Sequence, residues 1–312
     1  MSKEVRVIEI DAILTEAHAA GVSDVYLFPV GRQYRLQVRY PTKITVLQAH
    51  VSLEQASVWI NLLKYRAGMN LSEHRRVQQG ATYHRQSKSY LRLSSAGDYQ
   101  DRESLVIRII AAVPPVLPAG EPNMRQLETL AVQRGLLTVC GPTGAGKTTL
   151  LYQLAKRLVQ QRVVMTIEDP VEIDEPGFLQ LQVNNAAGMT YSSLLKAALR
   201  HRPDVVIIGE LRDQETGTAA CEAALAGHIV LATVHTDRAD EVPLRLAALG
   251  VPSKLIAGAL KASAQVRLSI QDTIVPLVEI WRWQRGQGTR VTPKLAEQEE
   301  SLHAQNTNEG AG

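Results

Sequence analysis

A glycine-rich stretch between an apolar run and a helix-like pattern constrains this chain more than any other feature of its sequence. The mostly apolar residues 136–140 lead into Gly141-Pro-Thr-Gly-Ala-Gly-Lys-Thr-Thr149, which matches the pattern G-x-x-x-x-G-K-[ST]. A strand, a tight turn and a helix N-terminus in this order bring backbone N–H groups and partial positive charge to one point. The chain is therefore predicted to cradle the phosphates of a nucleotide.

The residue types of this loop each have a task in phosphate binding. Glycine backbones adopt dihedrals that other residues avoid, and they approach phosphate oxygens closely. Lys147 is expected to reach the β- and γ-phosphates of ATP, and the Thr148 hydroxyl is expected to bind Mg²⁺. Cofactor contacts are predicted along the whole loop, at Gly141, Pro142, Thr143, Gly144, Ala145, Gly146, Lys147, Thr148 and Thr149.

The composition argues against several other classes of protein. With 45% hydrophobic and 21% charged residues among 312, the chain is typical of a globular protein with two domains. An aromatic content of only 4% disfavours a base-stacking platform, so no direct binding of nucleic acid is expected. The two cysteines, Cys140 and Cys221, form no C-x-x-C pair, which predicts a reducing compartment and no zinc site.

The N-terminus and the charge distribution bear on where the chain works. No apolar signal core opens the sequence and no apolar run approaches about 18 residues, so a cytoplasmic protein with only peripheral membrane association is predicted. Residues 1–108 carry 15 Lys and Arg against 10 Asp and Glu, whereas the remainder carries 19 against 21. The basic excess is either a solvated face or a surface for acidic partners, lipid headgroups or a neighbouring subunit's phosphates.

The pattern over residues 1–110 predicts a compact α+β domain. Helices are predicted over 7–20 and from Ser52, whose Ser-Leu-Glu-Gln sequence is typical of a capping box. Four prolines within 111–122 prevent a helix or a central strand from running through, so this segment is predicted to be a semi-rigid linker. The strands of the first domain are predicted near 25–28, 34–40, 80–84, 89–94 and 104–110.

Beyond the linker, residues 123–284 alternate between strand and helix patterns. This alternation predicts an α/β domain with a mainly parallel sheet and helices on both faces. Residues 285–312 are polar and are predicted to form a disordered tail. The predicted strands are 136–140, 163–167, 205–208 and 229–234, with a last apolar segment over 274–283. The predicted helices are 124–133, one from the loop to about 160, 192–200, 214–226, 239–249 and 253–264.

A carboxylate at the end of an apolar strand is the main candidate for the chemistry. Glu210 follows the predicted strand 205–208, and Gly209 stands where an aspartate usually holds Mg²⁺ through its water shell. Because the carboxyl ends of parallel strands face the ligand crevice, Glu210 is predicted to act as a general base or to orient water. The alternative is a glutamate that only begins the helix after it.

A second acidic cluster and a histidine follow the neighbouring strands. The cluster Glu168-Asp-Pro-Val-Glu172 has two interpretations. It is either a turn or, since the usual aspartate is missing, it contains a metal-site residue, with Glu168 helping to hold Mg²⁺ or its water. His228 and His235 lie an odd number of residues apart along a strand, so they are not expected to chelate one metal. His235 is either a sensor of the γ-phosphate or an ordinary hydrogen-bonded residue.

Four ordered blocks of the sequence resemble those of the secretion and type IV pilus ATPases, the type II secretion E-protein family. Leu199–Asp213 is similar to the family's hallmark segment, Gly141–Thr149 to its Walker A, Thr166–Glu172 to its Asp box and Gly227–Thr236 to its His box. The first domain is similar more loosely. The resemblance implies a RecA-like P-loop NTPase domain preceded by a smaller α+β N-terminal domain. It also implies a homo-hexamer with ATP and Mg²⁺ as cofactors.

The resemblance implies further roles and partners. Arg92 and Arg108 match family arginines thought to reach the nucleotide phosphates, so catalysis is predicted to use them with Glu210 and Glu168; Arg75 matches a further family position. The short N-terminus and missing tetracysteine motif resemble the branch that assembles the competence pilus for DNA uptake. That branch implies a motor on an inner-membrane platform protein. The alternatives are a pilus-retraction or type II secretion motor of the same family, or a RecA-like motor that translocates DNA.

Overall fold

The chain divides into two compact units, Met1–Ala112 and Val113–Gly312. The division falls at the start of the proline-rich segment predicted as a linker, and the later part of that segment belongs to the second unit, with a 3₁₀ turn at Pro118–Gly120. Each unit has its own sheet and its own buried apolar clusters. The computed structural model describes residues 3–40, 43–110, 112–159, 162–270 and 274–301.

The first unit is an antiparallel sheet of six strands with two helices packed on one face. Its strand order is β3-β2-β1-β6-β5-β4. The helices are α1 (Lys3–Ala19) and α2 (Leu53–Arg66). The strands are β1 (Asp24–Val30), β2 (Gln33–Arg39), β3 (Ile44–Val51), β4 (Gln78–His84), β5 (Ser89–Gly97) and β6 (Glu103–Ile110).

Alternating burial fixes which face of this sheet meets the helices. Leu27 of β1 is buried in the same cluster as Trp59 of α2, whereas the residues between the buried positions of the strands face away. Helix α2 begins as predicted, with the Ser52 hydroxyl accepting a hydrogen bond from the Gln55 N–H at 3.1 Å. The Gln55 side chain donates to Glu9 of α1 at 2.6 Å, so the two helices are joined at this end.

The second unit is an eight-stranded sheet with the order β14-β13-β12-β7-β11-β10-β8-β9. The strands from β12 to β9 run parallel, and β13 and β14 are antiparallel. The helices are α3 (Glu121–Ala131), α4 (Lys147–Leu158), α5 (Tyr191–Arg200), α6 (Gln214–Leu225), α7 (Val242–Ala248) and α8 (Ser253–Ala259). The strands are β7 (Gly135–Cys140), β8 (Val164–Glu168), β9 (Leu179–Gln182), β10 (Val205–Ile208), β11 (Ile229–Thr233), β12 (Leu260–Ile270), β13 (Ile274–Gln284) and β14 (Gln287–Arg290).

The predicted α/β class is confirmed, two local predictions were wrong, and two exposed strands were not predicted. The helix predicted over 253–264 ends at Ala259, because Ala262 and Ala264 are buried in β12 against β7. The polar segment 285–312 contains strand β14 and the buried Leu295, so its first part is ordered; residues 302–312 lie outside the described residues. Strands β3 and β9 were missed because nearly all of their side chains are exposed or only half-buried and give no alternating apolar pattern.

The parallel core of the second unit determines where the polar residues meet. Strands β7, β11, β10 and β8 are consecutive neighbours, so the segments after them lie along one edge of the sheet. Buried clusters formed with helices cover the two faces of these strands. Among the helices of the described ranges, none is long and apolar enough to cross a bilayer.

Candidate functional site

The phosphate loop joins the buried strand β7 to helix α4, as predicted. Gly141 has a φ of 133°, and a Cβ at this position would lie 2.4 Å from the Val266 carbonyl oxygen. Only glycine fits, because the neighbouring atom belongs to the main chain of strand β12. Gly146 caps α4 in the left-handed conformation, so Lys147 and Thr148 are the first helical residues. The loop therefore leads directly into a helix N-terminus, where partial positive charge favours an anion.

The Lys147 ammonium is folded back on the loop. Its Nζ donates hydrogen bonds to the carbonyl oxygens of Gly141 at 2.8 Å and Pro142 at 2.9 Å. Burial lowers the pKa of Lys147, and the carboxylates of Glu210 and Glu172 act in the opposite direction. These carbonyl oxygens are neutral acceptors, so phosphate oxygens would bind the same ammonium more strongly.

Thr148 contacts a carboxylate to which the sequence analysis gave no role. Its Oγ1 donates to Glu172 Oε2 at 3.1 Å. A hydroxyl and a carboxylate are oxygen ligands that fit Mg²⁺, which needs one or two protein ligands when phosphates and waters complete its shell. Within the described part of the chain, no group of three or more His, Cys, Asp or Glu side chains could hold a metal ion by itself. The donors therefore suit a cation that arrives with phosphates.

Glu168 lies at the end of β8 in a buried hydrogen-bond network. It is 2% exposed, and its Oε1 accepts from Tyr152 Oη at 2.5 Å and from Thr166 Oγ1 at 2.6 Å. Gln180 Nε2 donates to the Tyr152 oxygen at 2.7 Å. Burial raises the pKa of Glu168, and the two hydroxyl donors offset this effect only in part. The role of Glu168 as a ligand of Mg²⁺ stays a prediction, and its contacts favour a structural task.

Glu210 and His235 come together at the ends of neighbouring parallel strands. Because β10 and β11 are paired, the residues after them are adjacent, and Glu210 Oε1 lies 3.4 Å from His235 Nε2. The two side chains are 33% and 47% exposed, so both are accessible to a ligand. The carboxylate predicted to act on water thus has an imidazole partner.

A cavity of about 400 Å³ connects these groups. Of the loop residues predicted to bind the cofactor, Gly141, Pro142 and Ala145 do not line it, and Ala145 is buried. Four lining residues were not predicted from the sequence, Asp169, Glu172, Tyr191 and Thr233. Their only signal was a position at or just after a strand end or at a helix start. The lining residues are Thr143, Gly144, Gly146, Lys147, Thr148, Thr149, Glu168, Asp169, Pro170, Glu172, Tyr191, Gly209, Glu210, Thr233 and His235.

The predicted catalytic arginines belong to the first unit, whereas every residue of the cavity belongs to the second. Arg92 of β5 and Arg108 of β6 stand directly opposite each other, and therefore on the same face of the sheet. Arg108 Nε donates to Asp24 Oδ1 at 2.9 Å, and its side chain is 56% exposed. Arg75 Nε lies 2.6 Å from Asp101 Oδ1. The assignment of Arg92 and Arg108 to catalysis stays a prediction.

The fold and the site define the class of the protein. A phosphate loop on an inner strand of a mainly parallel sheet, with Glu210 and His235 after the adjacent strands, is the arrangement of a RecA-like P-loop ATPase. The chain belongs to the Type II/IV secretion system protein family, whose model matches residues 2–274.

Comparisons with individual proteins agree with this family. The chain is 40% identical over 259 residues to competence protein ComGA of Streptococcus pneumoniae, covering 82% of each chain. It is 34% identical over 265 residues to ComGA of Bacillus subtilis, covering 82% of this chain and 74% of the relative. A crystal structure of the pilus retraction motor PilT with bound ADP has a TM-score of 0.70 at 23% identity, covering 96% of this chain and 88% of that one, which confirms the fold. The protein is a motor ATPase of the secretion and pilus class.

Proposed function

We propose that this protein binds ATP with Mg²⁺ in the cavity, hydrolyses it, and uses the cycle to drive assembly of a competence pilus. The main observation in favour of hydrolysis is one shared cavity, which Lys147 and Thr148 line together with Glu210. A nucleotide that places its phosphates on the loop then has a base within the same 400 Å³ space. The names of the ComGA relatives support the competence role.

The contacts support a separate task for each side chain around the phosphates. Lys147 exchanges its two carbonyl partners for the β- and γ-phosphate oxygens. Glu210 orients the attacking water or accepts its proton, and His235 keeps that carboxylate in place. His235 lines the same cavity as the loop, so its ring is also proposed to sense the terminal phosphate.

We assign the metal-binding oxygens of the chain to Thr148 and Glu172. Their 3.1 Å contact brings a hydroxyl and a carboxylate to the start of α4, where Mg²⁺ would neutralise charge on the phosphates. Glu168 is proposed to act one step removed from the metal: held by Tyr152 and Thr166, it fixes the end of β8 from which the acidic segment continues.

The oligomeric state and the partner protein are proposed from the family. The chain forms a homo-hexamer in which Arg92 and Arg108 supply positive charge to the phosphates during hydrolysis, and it works at the inner face of the membrane on a platform protein. A second candidate is a secretion motor, because the type II secretion system protein E of Dickeya dadantii is 35% identical over 270 residues. Deleting the gene and scoring pilus assembly separately from protein secretion distinguishes the two.

The hydrolysis proposal is tested by phosphate release from the purified full chain with ATP and Mg²⁺. Lys147→Ala is expected to lower turnover at least about a hundredfold, because it removes the cation that meets the transferred phosphoryl group. Lys156→Ala is the matched control: this lysine lies on the same helix, pairs with Glu175 at 2.8 Å, and does not line the cavity. Equal turnover in both variants contradicts the proposal. Stimulation by DNA would favour a motor acting on nucleic acid instead.

A further inference from the structure

Gly209, directly after β10, lines the cavity without a side chain. Gly209 occupies the position at which an aspartate usually approaches Mg²⁺ through water. A Cβ built on Gly209 would lie 3.2 Å from the Tyr191 hydroxyl oxygen and 3.4 Å from the Glu168 Cα. The oxygen of Tyr191, which comes from helix α5, therefore lies close beside the Gly209 backbone, and even a methyl side chain at 209 would crowd it.

The Tyr191 ring is held firmly in this position. Tyr191 is the first residue of α5, directly after the Thr190 N-cap, and is only 6% exposed. The guanidinium of Arg212 lies over its ring at 5.1 Å from the centroid. Arg212 Nη2 in turn donates to Asp169 Oδ2 at 3.2 Å, so the ring is clamped between the helix start and the acidic segment after β8.

The Tyr191 hydroxyl is a donor on a largely buried side chain that lines the nucleotide cavity. Tyr191 lines that cavity together with Glu168, Asp169 and Glu210. Among the hydrogen bonds of the residues that the structure describes, none uses the Tyr191 hydroxyl. Burial raises the pKa of Tyr191, and the negative charge of Asp169 raises it further, so the group stays a neutral O–H. A hydroxyl that lines a cavity and has no protein partner can donate to a water molecule or a ligand there.

We propose that Tyr191 is a positioning residue of the ATPase site, whose hydroxyl donates a hydrogen bond to a water in the shell of nucleotide-bound Mg²⁺. It does so beside Gly209, which lines the same cavity. The inference rests on the proposed binding of ATP with Mg²⁺ at this cavity. Tyr191 thereby supplies an oxygen from α5, whereas Thr148 belongs to α4 and Glu172 to the acidic segment after β8.

The test is Tyr191→Phe, which keeps the ring and its contact with Arg212 and removes only the oxygen. Equilibrium binding of a fluorescent, slowly hydrolysed ATP analogue is measured with a chelator and then along a Mg²⁺ titration. The variant is expected to keep the metal-free affinity and to need about fivefold more Mg²⁺ for half of the metal-dependent gain, the effect of one lost hydrogen bond. Tyr83→Phe, the same change at an exposed tyrosine of the first unit, is expected to match the wild type.

Two results overturn the proposal for Tyr191. A Mg²⁺ titration that superimposes on the wild-type curve means that the hydroxyl does not serve the metal's water shell. An equal loss of affinity with and without Mg²⁺ means that the tyrosine only maintains the shape of the cavity. If the wild-type protein itself binds no nucleotide, the proposed ATPase function fails and this inference fails with it, a result that is distinct from either of the other two.

Discussion

The buried network around Glu168 makes a prediction that joins stability to pH. Tyr152→Phe removes the hydroxyl that donates to Glu168 Oε1 at 2.5 Å and keeps the ring, which packs against Phe178 at 5.5 Å between centroids. Since Glu168 is 2% exposed, water is not expected to replace the lost donor. A hydrogen bond to a buried charged group contributes about 1.5–3 kcal/mol, so the ionised form of Glu168 should lose roughly 2 kcal/mol of stabilisation.

The loss should grow as the pH rises. Burial places the folded-state pKa of Glu168 above its ordinary value of 4.5. Glu168 therefore contributes its full stabilisation of the folded state below pH 4.5, and this contribution is lost as the pH rises through the folded-state pKa. The Tyr152 hydrogen bond lowers this pKa, and its removal should therefore raise the pKa of Glu168 further. Tyr152→Phe should thus destabilise the protein more at about pH 8 than at about pH 5.

Urea unfolding of both proteins at the two pH values measures this difference. A loss of about 2 kcal/mol at the higher pH would lower the melting temperature by roughly 4–8 °C for a unit of this size. Tyr83→Phe, at an exposed position, controls for the loss of a tyrosine hydroxyl. An equal loss at both pH values, or no loss at either, refutes the argument that a buried, ionisable Glu168 depends on Tyr152.

Two further predictions concern the packing of each unit. Gly141→Ala should lower the free energy of unfolding by about 3 kcal/mol or more and weaken nucleotide binding. The φ of 133° at this position disfavours alanine, and the Cβ would meet the Val266 carbonyl oxygen at 2.4 Å. An unchanged urea midpoint contradicts this prediction. Lys64→Met should destabilise the first unit by about 3–5 kcal/mol, since the fully buried Lys64 ammonium donates to Glu103 Oε1 at 2.6 Å and the carboxylate would lose its cation. Calorimetry checks the second prediction, and a wild-type transition would refute it.

The sequence predicted the parts of the fold that depend on local pattern. The phosphate loop, the buried parallel strands and the position of Glu210 follow from an apolar run that ends in glycine or carboxylate, and these signals are contained in short segments. The boundary between α8 and β12 was not predictable in this way. Ala262 and Ala264 suit a helix as well as a strand, and pairing with β7 decides between the two.

The contacts within the site join residues that are far apart in the sequence, so local sequence patterns could not predict them. Tyr152 lies 16 residues before Glu168, and its hydroxyl reaches that carboxylate because α4 packs on β7, β11 and β10, and β10 is the neighbour of β8. Glu172 belonged to a recognised acidic cluster, yet nothing in the sequence indicated that Thr148 rather than solvent would meet it. Tyr191 had no signal beyond its position at a helix start, because its closeness to Gly209 arises only in the folded chain.

The central claim is that ATP bound to the phosphate loop is hydrolysed with the help of Glu210. The most direct measurement compares ATP binding and phosphate release in Glu210→Gln, with Glu128→Gln, a partly exposed carboxylate on α3, as the control. Glu210→Gln is expected to bind ATP with wild-type affinity and to lose about 10²–10⁴-fold in turnover, the usual contribution of a general base. Wild-type turnover in Glu210→Gln would contradict the account.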